Sequence, residues 1–312
     1  MDSLPMNTLL EFNKDTIQIT RKSYNLDTPG SMDQAIDILQ EWVEKQNHFK
    51  KKDYPREYLE RRIIFCKGSV ERAKLKIDRN CTLRTLMPQF YKFIDFKTEY
   101  KYSDIIWDGI LPKMTDDYYR IYVVKNIGKR FNKDIITSYV RWTVAMAEYL
   151  TANDYNRGII IIFELSETDL VELVKVFDFA EVRRALTLLI DGYAMSIKAL
   201  HLVTSSKTVE TITEFVKPIL SAKLSQRIQI HKDLKSLHQV VQRDVLPEEL
   251  GGNERSIVKL HREWVDVLSS KEFQEYYSEM KTASTNEKYR LMNKLNEEYM
   301  GIAGTFKTLN ID

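Results

Sequence analysis

Histidine is the residue type of this sequence best suited to binding a metal or moving a proton near neutral pH. Five histidines occur, and no two of them have the spacing of a metal-binding motif. His231 and His238 could still approach one another in three dimensions. We favour structural or surface roles for all five, which are His48, His201, His231, His238 and His261. No metal site is predicted.

Acidic residues and potential nucleophiles give no stronger indication of catalysis. The adjacent carboxylates at 116–117 and 248–249 fall in expected loops, where solvation explains them without acid–base chemistry. No G-x-G-x-x-G, G-x-x-x-x-G-K-[ST] or G-x-S-x-G motif is present, so a dinucleotide enzyme, an NTPase and a typical α/β-hydrolase lose their main support. Cys66 and Cys81 are expected to be reduced packing residues. We therefore predict no enzyme, no catalytic residue and no cofactor.

The overall charge of the chain is nearly balanced, with 47 basic and 45 acidic residues and a formal charge of +2. This balance argues against a general nucleic-acid binder. The start of the sequence, MDSLPMNTLLEFNKD, lacks the features of a signal peptide, and no apolar stretch is long enough to span a bilayer. We expect a monomeric cytoplasmic protein that associates peripherally with membranes.

The first third of the chain shows only helical periodicity. Helical patterns cover residues 36–43, 58–64 and 70–86. Gly68 separates the second from the third, and Pro88 ends the third because proline disfavours helical geometry in the residue before it. Residues 1–98 are therefore predicted to form an all-helical N-terminal domain.

After about residue 100, short β-rich runs alternate with helical segments. The predicted strands cover residues 119–124, 158–163, 197–203 and 227–231. The helical patterns between them cover residues 133–150, 168–189 and 204–226. This alternation favours an α/β domain with a mainly parallel sheet flanked by helices. We place that domain at residues 99–255, followed at 256–312 by a helical C-terminal extension that packs on the other domains.

The segment 204–227 has two features of a movable lid. Thr204, Ser205 and Ser206 could cap a helix, and the apolar side chains that follow have a helical period. That stripe consists of Val209, Ile212, Phe215, Val216, Ile219 and Leu220. Pro218 removes one backbone hydrogen bond and should kink or divide the helix, which weakens its attachment. Ordinary core packing is the alternative explanation of the stripe.

Positive charge accumulates around this segment. Residues 196–243 contain eight basic and three acidic side chains. The basic ones include Lys198, Lys217, Lys223 and Arg227. Such an excess suits an anionic membrane surface or a lipid headgroup. On charge and periodicity alone, a solvated face remains slightly favoured.

Several motifs of the second half occur in the order found in one protein family. LPEELGG at 246–252 is similar to the signature that closes the lipid-binding domain of the CRAL-TRIO family. KALHLV at 198–203 resembles the family's strand before the gate helix. FVKPIL at 215–220 and LSQRI at 224–228 resemble the end of that helix and the basic element after it.

The resemblance extends towards both ends of the chain. SVERAK at 69–74 and TLRT at 82–85 resemble the family's helical N-terminal domain, and GTFKTL at 304–309 resembles the ending of insect members. The chain is identified as a member of the CRAL-TRIO family, closest in pattern to insect alpha-tocopherol transfer protein-like members. This implies a helical domain packed on an α/β domain, whose pocket holds one hydrophobic molecule under a mobile gate helix.

The resemblance also implies a function. We expect intracellular binding and transfer of a small hydrophobic ligand or lipid of the tocopherol, retinoid or carotenoid type, with release at phosphoinositide-containing membranes. Ser196 and Ser225 stand where the family has basic residues, so the headgroup would be held by the remaining cations. Those candidates are Lys198, Lys217, Lys223 and Arg227. The alternative is a phosphoinositide-sensing membrane adaptor without net lipid transfer.

The pocket lining implied by the resemblance consists of inward-facing positions on the helix before the second strand, on the strands and on the gate. They are Val140, Thr143, Ala147, Phe163, Leu188, Leu189, Leu200, Ile212, Phe215 and Leu220. Plain core packing is the competing interpretation for each of them. A bound hydrophobic ligand is the expected occupant.

Overall fold

The computed structural model describes residues 4–5, 7, 9–92, 95–98, 105–128, 131–176 and 178–290. The resemblance noted at 304–309 lies outside the described residues.

The N-terminal part is helical, as predicted. Its helices are α1 (Thr16–Lys22), α2 (Ser31–Glu44), α3 (Arg56–Phe65) and α4 (Val70–Leu86), followed by a 3-10 turn (Pro88–Tyr91). Gly68, between α3 and α4, has a φ of +79°, and a Cβ at this position would lie 2.7 Å from the Cβ of Tyr24. Glycine therefore permits both the turn and the close approach of the chain.

Within the described residues, five strands form one sheet in the order β1-β2-β3-β4-β5. They are β1 (Ile106–Ile110), β2 (Arg120–Asn126), β3 (Ile159–Glu164), β4 (Ile197–Val203) and β5 (Ile228–His231). β2 to β5 are parallel and correspond to the four predicted strands, while β1 pairs with β2 in the antiparallel direction. The mainly parallel sheet is thus confirmed, and one antiparallel edge strand is added to it.

Helices cover both faces of the sheet, and further helices come after its last strand in the sequence. They are α5 (Lys133–Asn153), α6 (Leu170–Lys175), α7 (Phe179–Leu186), a π-helix (Thr187–Gly192), α8 (Thr208–Val216), a 3-10 turn (Lys217–Ile219), α9 (Ala222–Ser225), α10 (Leu234–Leu237), α11 (Ile257–Leu268) and α12 (Lys271–Lys281). The single helical pattern predicted at 168–189 is wrong. Asp169 and Asp178 each accept backbone N–H bonds at a helix start, which divides this stretch into α6 and α7.

The predicted gate segment is divided at its proline. α8 ends at Val216, and Pro218 lies in the 3-10 turn that follows. The predicted cap is confirmed for one residue, because the Ser206 hydroxyl accepts a hydrogen bond from the backbone N–H of Thr208, the first residue of α8. Thr204 accepts a bond from the backbone N–H of Ser206.

A buried carboxylate connects the helical part to the α/β part. Glu148 on α5 is fully buried and accepts hydrogen bonds from Arg84 on α4 (2.5 Å), from Tyr193 (2.8 Å) and from Tyr276 on α12 (3.0 Å). A buried charge is tolerated only when its oxygens are satisfied in this way. The contact fixes both regions and the C-terminal helices to one another.

Candidate lipid groove and basic cavity

The two faces of the sheet are packed to different degrees. On one face, Ile162 and Val203 are 0% and 1% exposed and pack against the 237–260 region. On the other face, the register places Ile161 beside Leu200 and Phe163 beside Leu202. These four side chains lie on the two central strands and are only half-buried. The second face is therefore incompletely covered, although central parallel strands are usually buried on both sides.

Half-buried residues of the surrounding helices face the same apolar region. Tyr139 on α5, Ala185 on α7 and Leu189 on the π-helix pack with Ile161 and Phe163 around one core cluster. Ile212 on α8 packs with Phe163 and Leu202 in another. We call this incompletely covered apolar surface of β3 and β4, together with the neighbouring residues of α5, the π-helix and α8, the lipid groove.

We call residues 204–220, the first part of the predicted lid segment, the gate, and the apolar side chains at its two ends are more deeply buried than those between them. Val209, near the start of α8, is 2% exposed, and Leu220, after the 3-10 turn, is 5% exposed. Ile212 and Val216 are half-buried, and Phe215 is 60% exposed. The middle of the segment therefore buries a smaller fraction of its apolar side chains than its two ends do.

The predicted pocket residues divide into three groups. Val140, Ala147, Leu188 and Leu220 are buried in closed core. The side chain of Phe215 is exposed on the outside of the gate. Those that are half-buried around the groove are Thr143, Phe163, Leu189, Leu200 and Ile212. As ligand contacts, all ten stay predictions.

A separate cavity of about 380 Å³ lies between the helical part and the segment that follows the gate. Apolar side chains form part of its walls, among them Phe65, Leu75, Met195 and Leu224. Among the described residues, six cationic side chains also line it: Lys67, Arg72, Lys76, Arg79, Lys223 and Arg227. We call it the basic cavity. None of the ten predicted pocket residues belongs to its described lining.

Two cations of the basic cavity share one carboxylate. Asp191, next to the wall residue Ile190, accepts bonds from Lys76 (2.8 Å) and Arg79 (3.1 Å). On the opposite wall, the Arg227 guanidinium donates to the carbonyl of Ile197. Charge-assisted hydrogen bonds to a phosphate group are the interactions that such a lining can supply.

Lys198 lies beside this cluster. Burial, together with the positive charges of Lys67 and Arg227, lowers the pKa of Lys198 to about 8. Its Nζ lies 4.8 Å from the ring centroid of Tyr119. The pKa of Lys198 is therefore lowered first by burial and secondly by the neighbouring positive charges.

The sequence identified one wall of the cavity and missed the other. Lys223 and Arg227 line it as a pair, whereas Lys217 bonds to Glu214 at 2.6 Å on the exposed side of the gate. The missed cations are Lys67, Arg72, Lys76 and Arg79. The last three recur four and three residues apart on α4, and this spacing on one helix face was the available signal.

One pair of the described histidines lies within hydrogen-bonding distance, and it is formed by His201 and His231. His201 Nδ1 and His231 Nε2 lie 2.9 Å apart, while His238 bonds to the carbonyl of Leu250. The approach of His231 to His238 stays a hypothesis, because these contacts join each of them to a different group. Within the part of the chain that the structure describes, no three histidine, cysteine or acidic side chains are grouped as metal ligands. Cys66 and Cys81 are buried free thiols, as predicted.

Two family models match the chain, one over the helical region and one over the mainly parallel sheet that follows it. The CRAL/TRIO domain model matches residues 109–252, and the model described as a Pinta-like UBA domain matches residues 28–100. Residues 109–252 of the chain therefore form a CRAL/TRIO domain. Over the described ranges, no helix is both long and apolar enough to cross a bilayer.

Known proteins resemble the chain over different extents. Proteins named "Alpha-tocopherol transfer protein-like" from Mus musculus and Homo sapiens are 32% identical to it over 122 residues. The match spans 38% of this chain and 35% of each relative. The crystal structure of Sfh5 has a TM-score of 0.50 at 11% identity and covers 87% of this chain and 98% of its own. At that identity the likeness concerns the fold alone.

Proposed function

We propose that this chain binds a small hydrophobic ligand or lipid in the lipid groove and transfers it between membranes. The observation that carries the proposal is the incompletely covered face of β3 and β4. On this face Ile161, Phe163 and Leu200 are half-buried beside the gate. Removing apolar surface from water contributes roughly 25 cal/mol per Å². A ligand that covers this face would therefore be held without strong polar contacts. Tocopherol-, retinoid- and carotenoid-like molecules are the proposed class.

The proposal includes release at phosphoinositide-containing membranes. Lys223 and Arg227 line the basic cavity, and both belong to the segment directly after the gate. A phosphorylated headgroup in the cavity would bring the bilayer against the gate. The membrane would then cover both the exposed Phe215 and the leaving ligand, which lowers the cost of opening.

Two measurements test this function. Native mass spectrometry of the purified protein should detect an extractable hydrophobic molecule. The variant Lys223→Glu with Arg227→Glu should slow transfer to phosphatidylcholine vesicles containing phosphatidylinositol bisphosphate by at least about tenfold, since each basic residue contributes about 1 kcal/mol at an anionic surface. Its affinity for the ligand in solution should not change. Lys217→Glu is the matched control, because Lys217 pairs with Glu214 outside the cavity.

The basic cavity also supports the alternative function, a phosphoinositide-sensing adaptor. The two functions differ in whether lipid moves. An adaptor would be recruited to the same vesicles, would carry no extractable ligand and would transfer nothing between vesicle populations. A protein that neither carries a ligand nor responds to the double variant would contradict both functions.

A further inference from the structure

One face of α4 combines positive charge with an exposed apolar side chain. Arg72, Leu75, Lys76 and Arg79 all line the basic cavity and recur at the spacing of one helix face. Leu75 stands among these cations and is 44% exposed. A single exposed leucine is common on protein surfaces and needs no explanation. Leu75, however, is surrounded by cations at the edge of the basic cavity.

We propose that the N-terminal helical region takes part directly in membrane docking, with Leu75 inserted at the level of the lipid headgroups. The partner is an anionic membrane surface, selected by charge complementarity with Arg72, Lys76 and Arg79. The inference rests on the proposed function, because a lipid headgroup in the cavity places the bilayer over the cavity mouth. It extends the docking surface beyond the gate to α4.

The composition of the cavity walls explains why α4 would meet the bilayer. One wall is the α4 face, and the other is the segment 221–227 after the gate. When a phospholipid places its headgroup between these walls, its acyl chains continue outward into the bilayer. A side chain at the cavity rim then lies in the interfacial layer, where apolar groups are favourable. Leu75 on one wall and Phe215 on the gate would provide two apolar contacts, one from each domain.

The test compares two neutral substitutions in neighbouring helices. Leu75→Gln removes the proposed contact, and Ile38→Gln is a matched control because Ile38 on α2 is 43% exposed and does not line the cavity. Binding is measured by sedimentation with vesicles of phosphatidylcholine and phosphatidylinositol bisphosphate. Burial of the exposed 44% of the leucine predicts about three- to tenfold weaker binding for Leu75→Gln. Ile38→Gln should bind like the wild type.

A second measurement reports the environment of the side chain itself. An environment-sensitive fluorophore attached at Leu75→Cys should shift to the blue on addition of the same vesicles, and one attached at Ile38→Cys should not. The native thiols are 3% and 1% exposed, which limits background labelling. Unchanged vesicle binding by Leu75→Gln, or equal shifts at both positions, would overturn the inference. An acidic protein as the true partner of this face would produce the first of these results.

Soluble inositol trisphosphate separates this inference from the proposed function. It probes the cavity without a bilayer, so Leu75→Gln should weaken binding of the vesicles by a larger factor than it weakens binding of the soluble trisphosphate. If the wild type binds it and Leu75→Gln behaves normally on vesicles, only the role of α4 is wrong. If the wild type binds neither the soluble trisphosphate nor the vesicles, the headgroup site and this inference fail together.

Discussion

The buried histidine pair on β4 and β5 should make the protein sensitive to mild acid. His201 and His231 are 2% and 6% exposed, and their ring nitrogens are 2.9 Å apart. Burial, and secondly the neighbouring His231, lowers the pKa of His201 from 6.5 to about 4. The pKa of His231 is also lowered, chiefly by burial. Both rings are therefore neutral in the folded protein at neutral pH.

The size of the effect follows from proton linkage. Because the unfolded chain holds its proton up to a pKa near 6.5, it binds more protons than the folded chain between pH 6.5 and about 4. The stability that depends on neutral His201 is fully present above pH 6.5 and is lost as the pH falls towards 4. For these two values the loss amounts to about 2 kcal/mol at about pH 5. Water reaching the ring past the edge strand β5 would reduce it towards about 1 kcal/mol.

Urea unfolding at about pH 7.5 and about pH 5 measures this loss. His201→Gln replaces the titrating ring with a neutral hydrogen-bonding side chain and should remove most of the acid-dependent term. Carboxylates that titrate in the same range contribute equally to the wild type and the variant, so the difference between the two profiles isolates His201. His238→Gln alters a histidine outside the pair and should keep the wild-type profile. Parallel profiles for the wild type and His201→Gln would refute the reasoning.

Three further substitutions test the packing around both sites. Gly158→Ala would place a Cβ 2.3 Å from Cε of Lys198, so we expect a loss of about 1–3 kcal/mol by thermal unfolding and weaker binding of anionic vesicles. Glu148→Gln would leave the buried Arg84 without its counter-charge and should cost about 3–5 kcal/mol in urea unfolding. Leu200→Phe should reduce the amount of co-purified ligand measured by mass spectrometry and change stability by less than about 1 kcal/mol, because Leu200 is only half-buried.

Each of these three predictions has a result that would contradict it. Ile162→Phe is the control for Leu200→Phe, since Ile162 is 0% exposed on the closed face and overpacking there should cost about 1–3 kcal/mol. Equal destabilisation by Leu200→Phe and Ile162→Phe would mean that the face of the sheet towards the groove is packed as tightly as the closed face. Wild-type stability of Glu148→Gln would show that hydrogen bonds, rather than charge, hold Arg84. Unchanged vesicle binding by Gly158→Ala would separate Lys198 from the anion site.

The strands that the sequence predicted correctly are those whose pattern is local. β2 to β5 are parallel, and their apolar runs match the expected strands to within about two residues. β1 was missed because Asp108 and Gly109 interrupt its apolar pattern. The fold requires both, since Asp108 accepts bonds from Tyr122 and Trp142, and a Cβ at Gly109 would lie 2.7 Å from the ring of Trp264. These requirements come from residues distant in sequence.

At the candidate site, too, the sequence predicted the residues that lie close together in the chain and missed those that are distant in it. Lys223 and Arg227 could be found because charge accumulates locally around the gate. Arg72 and Arg79 come more than 140 residues earlier, and only the packing of α4 beside the segment after the gate makes them part of one cavity. Lys217 shares the local excess of charge, but it begins the 3-10 turn after α8, where it pairs with Glu214 and does not line the cavity. Its predicted contact with a headgroup stays a prediction.

The segment after the gate belongs to both proposed sites, and this has a measurable consequence. Leu224 of this segment belongs to an apolar cluster against which Ile161 of the groove packs, while Lys223 and Arg227 line the basic cavity. If a bound headgroup favours gate opening and so lowers the affinity for the lipid, the bound lipid must lower the affinity for the headgroup by the same factor. Calorimetric titration of soluble inositol trisphosphate into lipid-free and lipid-loaded protein measures that factor. Equal affinities would mean that the two sites are not coupled, and that the bilayer rather than the headgroup opens the gate.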